Sequence, residues 1–253
     1  MTATVPGRAE LIEALRAAVA ERPEVIAMLL GGSDAFGRTD PLSDVDVTLV
    51  IAEGTEPAAV FERCEAALET LAPIEHRMVV PEPAWHGHSQ RFYRLEGTHP
   101  CHLVDLFVQT EGRAPFFDEV ELHGVPVTLF DRRGETPTSR IDPATLGEKV
   151  AARREQLRLR TELFACFVEK ELERGHPLAA LHFYQSIVLA TLVELLRLRH
   201  GPSRHDWGVR YAHVDLPPEV NARLEGLSFL GDLEALRAAS TEALAWVREE
   251  LAR

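Results

Sequence analysis

The segment Leu29–Val50 constrains this chain more than any other. The apolar run Val25–Leu30 has the length and the lack of polar breaks of a buried strand, and it stops at Gly31-Gly32-Ser33. Glycines after a strand let the backbone approach a ligand closely and expose N–H donors to an anion such as phosphate. Ser33 adds a hydroxyl. About ten residues on, Asp44 and Asp46 flank Val45 at the start of a second apolar run, Val45–Ile51. Side chains alternate along a strand, so both carboxylates project to the same face. Two like charges this close are costly without a cation. A hard divalent ion with oxygen ligands, Mg2+ above all, is the natural neutraliser. A phosphate cradle beside a carboxylate pair is the minimum kit for metal-assisted phosphoryl or nucleotidyl transfer. The plainer alternative is a turn that leads into a solvated strand end.

Gly31, Gly32, Ser33, Asp44, Val45, Asp46 and Val47 fill a known pattern. The segment resembles the signature of the DNA polymerase β-like nucleotidyltransferase superfamily. That signature is a hydrophobic residue, Gly-Gly or Gly-Ser, about ten residues, then Asp-hydrophobic-Asp/Glu-hydrophobic. Gly37-Arg38 and Ser43 look like its antibiotic-modifying and small stand-alone branches. The resemblance implies a third carboxylate on a later strand, after a hydrophobic residue. Asp105 within His102–Val108 supplies one, and it interrupts an otherwise apolar strand, which is expensive unless the group has a partner. The resemblance is strongest over residues 25–110. An all-helical C-terminal domain is what the aminoglycoside and lincosamide nucleotidyltransferases carry. Arg204–Tyr211, followed by Asp215-Leu216-Pro217, also looks family-like.

The same resemblance implies roles. Mg·ATP, or another Mg·NTP, would lie with its phosphates over Gly31, Gly32 and Ser33. Asp44, Asp46 and Asp105 would hold two metal ions. A hydroxyl of a small acceptor would attack the α-phosphorus, and pyrophosphate would leave. The proton would pass to Asp105 or to a carboxylate of the first helix of the second half, Glu169 or Glu162. Arg38 and Lys170 are the first candidates to meet the triphosphate, with Arg204 and Arg210 behind them. Each has a plain alternative: an exposed helix face for the glutamates and Lys170, a solvated loop for Arg38. Arg153, Arg154, Arg158 and Arg160 read as a solvated face. His86, His88, His99 and His102 fit no familiar zinc spacing and read as loop and strand-end histidines. Trp85, Phe92 and Tyr93 read as core, with ring stacking as the alternative.

The pattern predicts an α+β chain: a mixed sheet with flanking helices, followed by a helical bundle. Residues 8–22 and Pro57–Leu71 read as amphipathic helices. Val25–Leu30, Val45–Ile51, Ile74–Val80, Phe92–Leu95, His102–Val108 and Val125–Phe130 read as strands. The polar, turn-rich stretch after Asp131 marks a boundary, dividing a catalytic domain at 1–138 from a closing domain at 139–253. Pro143–Arg174 reads as one long helix with Leu163, Phe164, Phe167, Val168 and Leu172 as its stripe. Pro177–His200 follows as the centre of a four- or five-helix bundle, with Pro217–Leu227 and Gly231–Leu251 behind it.

Charge narrows the partners. Acids outnumber Lys and Arg by 40 to 27, which argues against nucleic acid as the partner. Residues 1–140 hold 12 basic and 23 acidic residues, net −11; residues 141–253 hold 15 and 17, net −2. An acidic first half suits a cationic acceptor, such as an aminoglycoside; the resemblance to the antibiotic-modifying branch implies a role in antibiotic resistance. The apolar run Ile187–Leu196, interrupted by Glu194, falls short of the ~18–20 residues of a membrane span. No basic-then-apolar segment opens the sequence, which argues against a signal peptide. Three scattered cysteines suit a reducing cytoplasm. A monomer or a homodimer is expected. Two rival readings stay open: nucleotidylation of a protein, and a non-catalytic nucleotide sensor of the same fold.

Overall fold

The computed structural model describes residues 5–82, 84–113, 118–134 and 138–253. The chain divides into two compact units, Met1–Arg140 and Ile141–Arg253. The architecture is α+β: the first unit is a sheet with helices, the second is helical.

The first unit runs α1 (Arg8–Val19), β1 (Val25–Leu30), a one-turn helix α2 (Gly32–Ala35), β2 (Val45–Ile51), α3 (Pro57–Glu69), β3 (Ile74–Val79), β4 (Ser89–Leu95), β5 (Val104–Thr110), a short α4 (Val120–His123) and β6 (Val127–Asp131). The sheet order is β3-β4-β5-β2-β1-β6. Only β2 and β5 are parallel; the other neighbours are antiparallel. Alternation along the two parallel strands sorts their side chains. Val45, Val47, Leu49 and Ile51 of β2, with Val104, Leu106 and Val108 of β5, join Leu11, Leu15 and Val19 of α1 and Val60, Phe61, Cys64 and Leu68 of α3 in one apolar core. The period of two therefore puts Asp46, Thr48, Asp105 and Phe107 on the opposite face. Burial of each large apolar side chain contributes about 1.5–3 kcal/mol.

The strand bounds differ from the sequence expectation for physical reasons. β4 begins at Ser89 rather than Phe92, because its polar start is satisfied. Arg91 donates to the buried Glu65 of α3 at 2.8 Å, and Tyr93 Oη donates to the same carboxylate at 2.9 Å. Arg77 of β3 reaches it at 2.9 Å. β5 starts two residues late and extends through Gln109 and Thr110, which pair with Val50 and Ile51.

The second unit contains α5 (Pro143–Phe164), α6 (Cys166–Glu173), α7 (Pro177–Phe183), a π-helical segment (Tyr184–Leu189), α8 (Ala190–His200), a short α9 (Ala212–Asp215), α10 (Pro218–Ser228) and α11 (Leu233–Leu251). The single long helix expected over Pro143–Arg174 breaks at Ala165. Its expected stripe is corrected in part: Leu163 and Phe164 are 62% and 42% exposed and Leu157 enters the core, while Val168 lies in the core and Leu172 packs against it as expected. By length and composition, Pro177–His200 is apolar enough to cross a membrane, a longer stretch than the run read from sequence. Its contacts make it the central helix of the bundle instead. Tyr184, Val188, Leu192, Leu195 and Leu196 lie in the core, and its two charged groups inside are paired. Glu194 takes Arg153 at 2.6 and 2.8 Å.

Arg197, fully buried, takes Asp215 at 3.0 Å. Its guanidinium also donates to the carbonyls of Arg204, Gly208 and Arg210. It thereby organises the loop between α8 and α9, including Tyr211, whose φ of 56° is left-handed. Removing one member of a buried pair strands the other's charge. Arg197→Met is therefore expected to cost about 3 kcal/mol or more in urea unfolding. Asp215 also takes Arg204 at 2.6 Å, so adding Asp215→Asn to Arg197→Met should cost only that second ion pair further, whereas two full, additive losses would contradict the pairing.

Candidate active site

The site is built where β1 hands over to β2. Leu30 pairs with Val47, and the next rung is the Gly31 N–H donating to the Asp46 carbonyl at 2.9 Å. Beyond it the chain turns at once into α2, in which the Asp34 and Ala35 N–H groups return to the Gly31 carbonyl at 3.1 and 3.3 Å. Gly32 has φ +49°, and a Cβ there would lie 1.8 Å from Asp46 Oδ2 and 2.6 Å from its Cγ. The left-handed φ favours glycine, and a Cβ would displace the Asp46 carboxylate that lies directly against the turn. Gly31 is less constrained: its Cβ would make an ordinary 3.7 Å contact. Ser33 Oγ is buried and, among the described residues, has no hydrogen-bond partner. A buried hydroxyl left unsatisfied costs about 1–3 kcal/mol, a reason for a ligand oxygen to be there.

The three carboxylates converge through sheet register. Asp46 and Asp105 are direct partners in the parallel β2–β5 ladder. The strands are locked there by the Val45 N–H donating to the Leu103 carbonyl at 2.8 Å. Asp44 lies just before β2, and its charge bears on the Asp46 carboxylate. Burial, then the charges of Asp44, Asp105 and Asp34, push the Asp46 carboxyl up to about 7. Burial pushes Asp105 up to about 6, with Gln90 opposing that rise and Asp44 adding to it. Gln90 Nε2 donates to both Asp105 oxygens, at 2.7 and 3.0 Å.

The donor set suits a hard divalent cation, since it is all oxygen and carries charges that only a proton or a cation can relieve. The orphaned Ser33 hydroxyl suits a phosphate oxygen beside it. The arrangement is not preformed. Among the described residues, no three His, Cys, Asp or Glu side chains already surround an ion position. The Gln90 amide orients the Asp105 carboxylate and leaves its oxygens with lone-pair capacity for a cation.

Arg8, Gln90 and Gly124 were not singled out from sequence. Arg8, the first residue of α1, donates from Nε to the Asp44 carbonyl at 2.9 Å and pairs with the Asp34 carboxylate. It ties the helix to both sides of the turn. Gly124 has φ +77° and lies so close to Ala35 that a Cβ would meet its carbonyl oxygen at 2.6 Å. The His102 ring bonds the Pro41 carbonyl at 2.9 Å and steadies the loop before Asp44.

The other candidates lie in the motif loop or in the second unit. Arg38 is exposed, its guanidinium 4.9 Å from the Phe36 ring centroid. Glu169 and Lys170 belong to the second unit. Glu169 pairs with Arg237 of α11, and Lys170 lies 4.8 Å over the Phe167 ring. Glu162 pairs with Arg158 at 2.6 Å, and Arg204 with Asp215 at 2.6 Å. Arg210 lies over Trp207 at 5.3 Å. The reading of a solvated arginine face is corrected for three of its four members. Arg153 is bound to Glu194, Arg154 donates to the Glu250 carbonyl and Arg160 to that of Ser186. Trp85 is 82% exposed, against the core reading, while Tyr93 is buried as expected.

No protein-family model matches the chain, and no curated protein matches it. Among solved structures, the chain is similar to an aminoglycoside 6-adenyltransferase from Bacillus subtilis, with 12% identity, 96% of this chain and 91% of that chain covered, and a TM-score of 0.35. It is also similar to a spectinomycin adenyltransferase from Enterococcus faecialis, solved with ATP and spectinomycin, with 12% identity, 97% and 98% coverage and a TM-score of 0.35. TM-scores of this size carry no argument about this chain.

The raised Asp46 carboxyl gives a signed pH dependence. The folded chain holds a proton there that the unfolded chain releases near its ordinary value, so stability falls as pH rises between about 4 and 7. Asp46→Asn removes the charge. It is expected to raise the stability of the metal-free protein by about 1–2 kcal/mol at pH 8, allowing for solvent screening, with the gain shrinking steadily toward pH 4. Thermal unfolding across pH checks it; a gain that grows toward acid pH would contradict it.

Proposed function

We propose that this chain is a Mg2+-dependent nucleotidyltransferase, moving a nucleoside monophosphate, most directly AMP from ATP, onto a hydroxyl of a small cationic acceptor. One observation carries the reading. The Asp46 carboxylate lies against Gly32 at the strand-to-helix turn, in register with Asp105 and beside the orphaned Ser33 hydroxyl. A carboxylate group and an anion-receptive turn in direct contact favour a ligand that is a cation–phosphate complex. The acidity of residues 1–140, net −11, favours a cationic acceptor.

In this reading, Gly31 and Gly32 let the backbone approach the triphosphate, and Ser33 Oγ donates to a phosphate oxygen. Asp44, Asp46 and Asp105 would hold Mg2+, which when bound would lower the pKa of the acceptor hydroxyl and neutralise charge on the departing oxygens. The hydroxyl oxygen forms a bond to the α-phosphorus, the α–β bridging P–O bond breaks, pyrophosphate leaves with the electron pair, and Asp105 accepts the hydroxyl proton. Arg8 keeps the turn and Asp44 in one arrangement. Arg38 as a triphosphate contact, Lys170 in the same role, Glu169 as an alternative base, and the acceptor-holding role of the helical unit belong to the same proposal. A second reading, nucleotide sensing without turnover, is favoured by the lack of a preformed ion position among the described residues.

Pyrophosphate release separates them. ATP, GTP, CTP and UTP are each supplied with Mg2+ and a panel of aminoglycosides and lincosamides. Acceptor-dependent release is expected, with a loss of about 100-fold or more in Asp44→Ala and in Asp46→Ala. Nucleotide binding with no release from any combination would favour the sensor. The Cβ clash makes a sharper companion: Gly32→Ala should lower release by at least tenfold, whereas Gly31→Ala should be milder.

A further inference from the structure

We propose that Gln90 is a positioning residue for Asp105, and that the affinity of the site for a divalent cation with nucleotide depends on its side-chain amide. The inference rests on the function proposed above. In the antiparallel β4–β5 ladder, Gln90 stands opposite Phe107, and Asp105 stands opposite Phe92. Gln90 and Asp105 are thus diagonal neighbours on one sheet face, about 7–8 Å apart at the backbone. A glutamine spans that diagonal; an asparagine, one methylene shorter, does not. One amide nitrogen reaches both carboxylate oxygens, at 2.7 and 3.0 Å. A donor shared between the two oxygens resists rotation of the carboxylate about its Cβ–Cγ bond. Each oxygen keeps lone-pair capacity for a second partner.

The identity of the donor matters. Lysine or arginine at position 90 would hold Asp105 more strongly but would repel a cation. A neutral amide orients the carboxylate and leaves its charge available. The Gln90 side chain is itself held, since it also interacts with the His86 ring, which packs on Phe107 with centroids 5.1 Å apart. Partners of this kind, one bond removed from the ion, commonly change metal affinity by about 10–100-fold when lost.

The test is a titration of Mn2+ into the full-length protein with a non-hydrolysable ATP analogue carrying a methylene between its α and β phosphates. Gln90→Met keeps length and volume and removes the donor. It is expected to weaken Mn2+ binding by about tenfold or more, with metal-free analogue binding unchanged within about twofold and the melting temperature nearly unchanged. Gln90→Asn, which keeps an amide that cannot reach, should show the same loss; it provides the readout if the Met variant does not fold. Unchanged Mn2+ affinity in either folded variant overturns the role of Gln90. A parallel fall in melting temperature and metal-free binding would reduce it to a structural contact and also overturns the inference. A wild-type protein that binds neither Mn2+ nor the analogue overturns the nucleotidyltransferase reading itself.

Discussion

The burial of Asp46 and Asp105 side by side, with Asp44 next to them, is the constraint on which the rest of the first unit turns. The two carboxylates are partners in a parallel ladder, half-buried on the same face, with Asp44 alongside. Nothing in the physics of a sheet favours that arrangement, and carboxyls raised first by burial and then by neighbouring charges are its cost. It persists because the other face of the same strands is committed. Val45, Val47 and Leu49 alternate with the acids of β2, and Val104 and Leu106 bracket Asp105; all five are buried under α1 and α3. A slip of one residue in either strand would expose that core and bury a charge within it. The hydrophobic pattern therefore enforces the acidic cluster.

The turn obeys the same logic. Asp46 takes the volume that any side chain at position 32 would need, so the glycine follows from the carboxylate as much as from the turn. Arg8 and Gly124 then fix α2 from two sides, one through an ion pair with Asp34 and the other through backbone contact with Ala35. In the second unit, the matching role falls to the buried Arg197, which gathers three carbonyls and Asp215 around one guanidinium.

Much of this was legible in the sequence where the information is local. The apolar runs of β1 and β2, the glycine pair between them and the Asp-Val-Asp alternation are each contained within a few residues, and Asp105 stands out as a charge inside an apolar strand. Partners set by tertiary contact were not legible. Gln90 lies in a polar Ser-Gln-Arg stretch outside the expected strand, which pairs with β5 while the buried Glu65 satisfies Arg91. Arg8 reads as the polar start of an amphipathic helix, 36 residues from the carbonyl it holds. Leu163 and Phe164 fit a helical stripe that the break at Ala165 turns outward. The arginines of α5 read as solvated because their acceptors, Glu194 and the carbonyls of Ser186 and Glu250, are remote in sequence.

Burial and the neighbouring carboxylates push the Asp46 carboxyl up to about 7, so a divalent cation that binds there must displace a proton. The most direct measurement is calorimetric titration of Mg2+ with the non-hydrolysable ATP analogue at pH 6.5, in buffers of different ionisation enthalpy. The slope of observed heat against buffer enthalpy counts the protons released. Release of about half a proton to one proton per site in the wild type, and much less in Asp46→Asn, is the expected result. Tight Mg·nucleotide binding with the same proton count in both proteins would contradict the carboxylate cluster as the cation's seat.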